Sequence, residues 1–257
     1  MTKPDGTNGR SSLILATDLD GTFAGGTEEQ RGQLQQTLRR LTGAVLIYVT
    51  GRSVPATREI VDELRLPHPD LLIADVGTSV LRGKTFEPVQ ELEAELETLW
   101  PGASVVRERL ETTPGLEEQA VRAPRRVSYW IREGTMQAAL EQATLALSGL
   151  DVDLVASAGV YLDVLPSGVN KGTTLRRVLR QLERGETDVV VAGDSLNDLA
   201  LFETGMAGVV VGNCEKALRD HLNGQEHLYF AAGEGAGGIL EGLRYFGWLT
   251  GGDADGE

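Results

Sequence analysis

The strongest constraint on how this chain folds is the spacing of its short apolar runs. Segments 13–17, 44–49, 71–74, 188–192, 208–211 and 227–231 are each four to six residues long and rich in Val, Ile, Leu and Ala. Runs of that length suit strands buried on both faces of a parallel sheet. Amphipathic stretches at 28–41, 54–64, 171–183, 196–203, 215–222 and 236–246 fill the gaps and read as crossover helices. Pro55 falls at an early helical position, where its missing N–H would have had no intrahelical partner. The pattern predicts an α/β fold with a doubly wound parallel sheet.

The alternation breaks over 83–165. Helices are expected there at 87–99 and 135–147, and strands at 125–132, 151–156 and 161–165. This is an α+β insertion between the third and fourth core strands, and it divides the chain into a core of 1–82 and 166–257 and a second unit of 83–165. An insertion so placed can lie as a lid over a site at the strand ends. The polar segments 1–11 and 251–257 are expected to be mobile.

Charge and cysteine content narrow the function. Lys and Arg total 24 against 38 Asp and Glu, a net charge of −14. Such a surface repels phosphate backbones, so a nucleic-acid partner is not expected, although a pocket with one or two cations can still hold a small phosphorylated ligand. No apolar run approaches the roughly 18 residues a membrane span requires, and the polar opening MTKPDGTNGRSS lacks the apolar stretch of a secretory signal. The single Cys214 cannot form an internal disulfide. A cytoplasmic protein without a membrane partner is expected, with Cys214 a buried or partly buried small residue and His68, in Pro-His-Pro, a loop residue.

Chemistry concentrates where strands end. The first strand runs into Asp18-Leu-Asp20-Gly-Thr22. Alternation along an extended segment would put Asp18 and Asp20 on one side, with Gly21 letting the backbone turn beyond the sheet edge. Two carboxylates so close need a cation or a shared proton between them. A surface turn would use the same residue types. A helix-loop-helix calcium site is rejected, because its sixth position needs Gly and Phe23 stands there. The fourth core strand ends in Gly193-Asp194-Ser-Leu-Asn197-Asp198, oxygen donors suited to Mg²⁺ but equally to capping the next helix. Thr50-Gly51-Arg52-Ser53 follows the second strand, and Asn170-Lys171-Gly172 precedes a helix. A hydroxyl, a backbone N–H and an ammonium can bind phosphate oxygens, and open α/β sheets hold ligands at the carboxyl ends of their strands.

Taken together, these segments resemble the four motifs of the haloacid dehalogenase superfamily, in order: Asp18 to Thr22, Thr50, Lys171, and Gly193 to Asp198. The insertion is similar to that family's C2-type cap. A narrower resemblance, to the sucrose-phosphate phosphatase branch, rests on TGRS (50–53), DVGTSV (75–80), RVSYWI (126–131), LPSGVNKG (165–172), GDSLNDLALF (193–202), VVVGN (209–213) and YFAAGEGAGGILEGLRYFGW (229–248). Gly21 departs from it, since many members of that branch carry Asn there.

The resemblance implies a Mg²⁺-dependent phosphatase acting on a small-molecule sugar phosphate, most closely sucrose 6-phosphate, through an aspartyl-phosphate. Asp18 is then the nucleophile and Asp20 the general acid and base. The metal site comprises Asp18, Asp20 through its main-chain carbonyl, Asp194 and Asp198, with Asp198 and Asn197 orienting waters or Lys171 and Asn197 also among the substrate-binding residues. Thr50, Gly51 and Lys171 would hold the phosphoryl oxygens and Arg52 the sugar. Of Tyr129 and Trp130, one is expected to face the site and the other the cap core. The alternative substrates are glucosylglycerol-phosphate, mannosylfructose-phosphate, mannosyl-phosphoglycerate and a hexose phosphate. A non-catalytic sugar-phosphate-binding protein is the rival on the same scaffold. A dinucleotide site at Gly233-Glu-Gly235-Ala-Gly-Gly238 is a weaker one, since no further strand with an acidic residue about 20 positions on is expected.

Overall fold

A computed structural model describes residues 12–157 and 159–249; the segments 1–11 and 251–257, expected to be mobile, lie outside them. The core strands are β1 (Ile14–Thr17), β2 (Val45–Val49), β3 (Leu71–Ala74) and β4 (Ser79–Arg82), followed after the insertion by β9 (Val189–Gly193), β10 (Ala207–Val210) and β11 (Leu228–Phe230). They form one seven-stranded sheet in the order β11-β10-β9-β1-β2-β3-β4. All pairs are parallel except β3 with β4, where Leu71 faces Arg82 and Ala74 faces Ser79. That antiparallel edge strand was not expected, because four residues carry too little pattern to separate them from the loop that follows β3.

The sheet is wound on both faces. Helices α1 (Glu28–Arg40), α2 (Val54–Glu63) and α9 (Gly235–Tyr245) bury Leu34, Val61, Ile239 and Leu243 against one side with Leu15 and Tyr48. Helices α3 (Gln90–Thr98), α6 (Lys171–Gln181), α7 (Leu199–Phe202) and α8 (Lys216–Leu222) bury Leu92, Leu96, Leu175, Leu201 and Leu218 on the other, with Ile14 and Ile47. Helix α3 therefore packs on the core sheet, although it falls within the inserted stretch. Pro55 sits in the first turn of α2 as expected. Strand order reverses between β1 and β9, and it is at such a switch point that loops diverge and leave a crevice.

The inserted unit has its own sheet, β5 (Leu116–Glu118), β6 (Val127–Ile131), β8 (Tyr161–Pro166) and β7 (Val152–Ser157) in that order, antiparallel throughout. Helices α4 (Ala103–Leu110) and α5 (Met136–Ala146) cover one face and bury Val106, Leu110 and Ala143 against Val127, Tyr129, Leu162 and Val164. Helix α4 was missed, although Val106 and Leu110 stand at helical spacing. Strand β5 was missed because its Leu-Glu-Glu is not apolar; pairing with β6 makes it a strand. No helix among the described residues is long and apolar enough to cross a membrane.

Candidate active site

The end of β1 sets the first acid. The Asp18 N–H still donates to the Ala192 carbonyl of β9 at 2.9 Å, which holds Asp18 at the switch point. The backbone then leaves the extended form for one wide turn over Leu19–Phe23, closed by Phe23 N–H on the Asp18 carbonyl at 3.2 Å and Ala24 N–H on the Leu19 carbonyl at 2.8 Å. Asp18 and Asp20 therefore do not share one side, contrary to the expectation from strand alternation. Asp18 is buried, whereas the half-exposed Asp20 carboxylate turns to Arg52, which donates from Nε and Nη2 at 2.7 Å each. Both still line one cleft. Gly21 has φ +69°, and a Cβ there would lie 2.3 Å from Asp194 Oδ2. Glycine at this departure from the branch pattern lets the Asp194 carboxylate close over the turn.

Lys171, the first residue of α6, is fully buried beneath Asp18. Its Nζ donates to Asp18 Oδ1 at 2.8 Å and to Asp198 Oδ1 at 2.6 Å. Asp198 Oδ2 accepts from the backbone N–H groups of Asp194 (3.0 Å) and Ser195 (3.1 Å). Both oxygens of Asp198 thus aim other groups, the ammonium on one side and the loop after β9 on the other. Asp194 accepts one side-chain bond, from Thr22 Oγ1 at 3.0 Å. Burial pushes the Asp18 carboxyl well above its ordinary range, and Asp198 adds to the shift against the opposing pull of Lys171. Asp194 is pushed up to about 6, chiefly by burial and then by the charge of Asp198. For Lys171, burial acts downward, but the two carboxylates outweigh it and keep the ammonium charged.

One oxygen from each of Asp18, Asp194 and Asp198 lies within 4.8 Å of the others. Three hard oxygen donors with a single ammonium among them leave uncompensated negative charge, which adds to burial in raising Asp18 and Asp194. This donor set fits a divalent cation such as Mg²⁺. Asp20 contributes no carboxylate to it.

The remaining expected residues divide. Asn197 lines the cleft, and its Oδ1 is buried without a hydrogen-bond partner. Gly51 and Arg52 line it too. Thr50 is fully buried, and its hydroxyl oxygen accepts from the Arg52 N–H at 3.1 Å, so it shapes the loop. The Arg52 fork lies on Asp20, not on an open sugar pocket.

The cleft encloses about 550 Å³ between the strand ends and the open face of the inserted sheet, which contributes Gln119, Ser128, Val155, Tyr161 and Asp163. Tyr129 is buried in the cap core, while Trp130, on the opposite face of β6, packs against Tyr161 with ring centroids 4.7 Å apart. Sequence reasoning missed the cap's polar wall, together with Arg126 and Asp75. Its one legible signal was the Arg125-Arg126 pair at the head of an apolar strand, where charge demands buried partners. The glycine-rich Gly233–Gly238 segment is no dinucleotide loop. The N–H groups of Ala232 and Gly233 donate to Glu241, that of Gly235 donates to Asn213 Oδ1 at 2.8 Å, and Gly235 presses on the backbone at Gly25.

Residues 11–247 match the family model of sucrose-6F-phosphate phosphohydrolase. A glucosylglycerol-phosphate synthase from Pseudomonas anguilliseptica is 40% identical over 237 residues, which cover 92% of this chain and 31% of that protein. The chain therefore spans about a third of that relative. A mannosylfructose-phosphate phosphatase from Agrobacterium fabrum is 31% identical over 245 residues, covering 91% of this chain and 96% of that one. Among solved structures, a sucrose-phosphatase from a Synechocystis species, in complex with sucrose and phosphate, superposes with a TM-score of 0.82 at 29% identity, covering 91% of this chain and 98% of that one.

Proposed function

The chain belongs to the sucrose-6F-phosphate phosphohydrolase family, and from that premise we propose that it hydrolyses a glycosyl phosphate monoester with the help of Mg²⁺. The observation that carries this reading is the buried Lys171 bridging Asp18 and Asp198, beneath a polar-walled cleft that Asp18 and Asp194 line. Burial makes Asp18 a poor resting anion, and Lys171 offsets that cost so that the carboxylate stays available as a nucleophile. In the first half-reaction an Asp18 oxygen forms a bond to phosphorus as the ester bond breaks, and Asp20 donates its proton to the departing sugar oxygen. In the second, Asp20 takes a proton from the water that attacks the aspartyl-phosphate, releasing phosphate and restoring Asp18. Arg52 holds both oxygens of the Asp20 carboxylate at the edge of the cleft. Mg²⁺ held by Asp18, Asp194 and the Asp20 carbonyl would neutralise phosphoryl charge. Gly51 and Lys171 supply further donors around the same oxygens.

Sucrose 6-phosphate or a closely related disaccharide phosphate is the proposed substrate, and the named activities of the phosphatase relatives support it. A glucosylglycerol-phosphate is the second reading, favoured by the higher identity to the synthase. Phosphate release from a panel of hexose, disaccharide and glucosylglycerol phosphates, with and without Mg²⁺, tests both. High activity on hexose phosphates with little on any glycosyl phosphate would sink the substrate class. No release from any member would leave a sugar-phosphate-binding protein.

A further inference from the structure

Arg125 and Arg126, which lead into strand β6 of the inserted sheet, are both almost fully buried. Burying a guanidinium is costly unless its donors are answered, and those of both arginines are, except Arg126 Nε, which is buried without a hydrogen-bond partner. The answering groups lie largely outside the cap. Arg125 Nε donates to the Thr78 carbonyl at 2.9 Å, and its other nitrogens donate to Glu93 and Glu97 of α3. Arg126 reaches the two loops that floor the cleft. Its Nη1 donates to the Gly51 carbonyl at 2.9 Å, and its Nη2 to Asp75 Oδ1 at 2.9 Å.

Those two loops already hold each other, with Asp75 N–H on the Arg52 carbonyl at 2.9 Å and Val76 N–H on the Thr50 carbonyl at 3.2 Å. Asp75 and Val76 have φ of +53° and +61°, a left-handed pair that is strained for β-branched Val and persists only while its bonds persist. The Gly51–Arg52 peptide is gripped on both sides, by Arg126 on its carbonyl and by Thr50 Oγ1 on its N–H. From the cap, Asp163 of β8 stands 4.0 Å from Arg126 Nη1 and accepts a hydrogen bond from Ser128.

We propose that Arg126 is a positioning residue that fastens the cap to the Thr50–Arg52 loop, so that this loop and the Arg52–Asp20 pair take their working geometry only when the cap is seated. The proposal rests on the phosphatase reading. It separates from a sugar-binding role for Arg126 by the choice of substrate, because an aryl phosphate needs the loop but offers no sugar.

The test compares wild type, Arg126→Gln, Arg126→Lys and Asp75→Asn on sucrose 6-phosphate and on p-nitrophenyl phosphate, and follows amide hydrogen exchange over 50–52 and 75–78. Arg126→Gln is expected to lower kcat on both substrates by about 10²-fold, the scale of a small misplacement, with little change in KM. Added guanidinium should restore part of the loss, and exchange should rise in both loops. A loss confined to the sugar phosphate and carried by KM overturns the proposal, as do unchanged kinetics on both. Should Arg126→Gln fail to fold, Asp75→Asn tests the same coupling: faster exchange at 50–52 supports it, and unchanged exchange there overturns it. Wild type inactive on both of these and on every glycosyl phosphate of the panel defeats the phosphatase reading instead, and the exchange data still decide the coupling.

Discussion

Lys171→Met removes one charge from the centre of the site while keeping side-chain length and apolar volume. In the wild type the ammonium is wholly buried and donates to two carboxylates, at 2.8 and 2.6 Å. Removing one partner of a buried ion cluster costs about 3–5 kcal/mol, because the remaining charges stay desolvated without compensation. For a chain of this size that lowers Tm by roughly 6–20 °C. The deficit has a definite pH dependence. Without Lys171, the carboxylates facing the gap share a proton, so at neutral pH the folded variant binds more protons than its unfolded chain, and its stability falls as pH rises above about 4. In the wild type burial raises Asp18 and Asp194 as well, but Lys171 pulls both down, so fewer protons are held there than in the variant, and Lys171 itself contributes stability present at every pH below its unfolded value of about 10.4 and lost only above it. Urea unfolding in EDTA at pH 5 and pH 8 should therefore give a gap between the two proteins that is larger at pH 8, by up to about 1.4 kcal/mol per pH unit for each proton held. A gap below about 1 kcal/mol at pH 8, or one that widens toward pH 5, refutes the argument.

Three further outcomes follow from the same geometry. Asp18→Asn should abolish phosphate release while retaining a cooperative melt, and normal turnover would remove Asp18 from the nucleophile role. Because Asp194 without metal holds its proton up to about 6, Mg²⁺ affinity measured by calorimetry should weaken by at least about tenfold per pH unit below that point; a flat profile from pH 5 to 7 would contradict the ligand assignment. Arg52→Lys should change stability by less than about 1 kcal/mol, since the pair with Asp20 is substantially exposed, yet lower kcat by at least about tenfold through loss of the fork; a stability loss without a kinetic one would make the pair structural.

The core strands and their crossover helices were legible because each is an apolar run or an amphipathic face whose period survives in the sequence, as in 71–74 and 171–183. The site's acids were legible for a related reason, since Asp18 and Asp194 follow directly on such runs and parallel strands deliver their carboxyl ends to one edge. The short β4 and β5 lacked that signal and exist through pairing with β3 and β6.

What local pattern determined, then, was the kind of element and which chemical groups reach the sheet edge. Partnership was decided only by the tertiary structure. Lys171 meets Asp18 across 153 residues because strand order reverses between β1 and β9, and Arg126 meets Gly51 across 75 because the residues leading into β6 come back onto the loop after β2. Asp20 parted from Asp18 because the backbone stops being a strand at Leu19, where periodicity ceases to say which way a side chain points. Contacts between distant segments depend on topology and on buried charges finding their opposites, and neither is written into any single window of sequence.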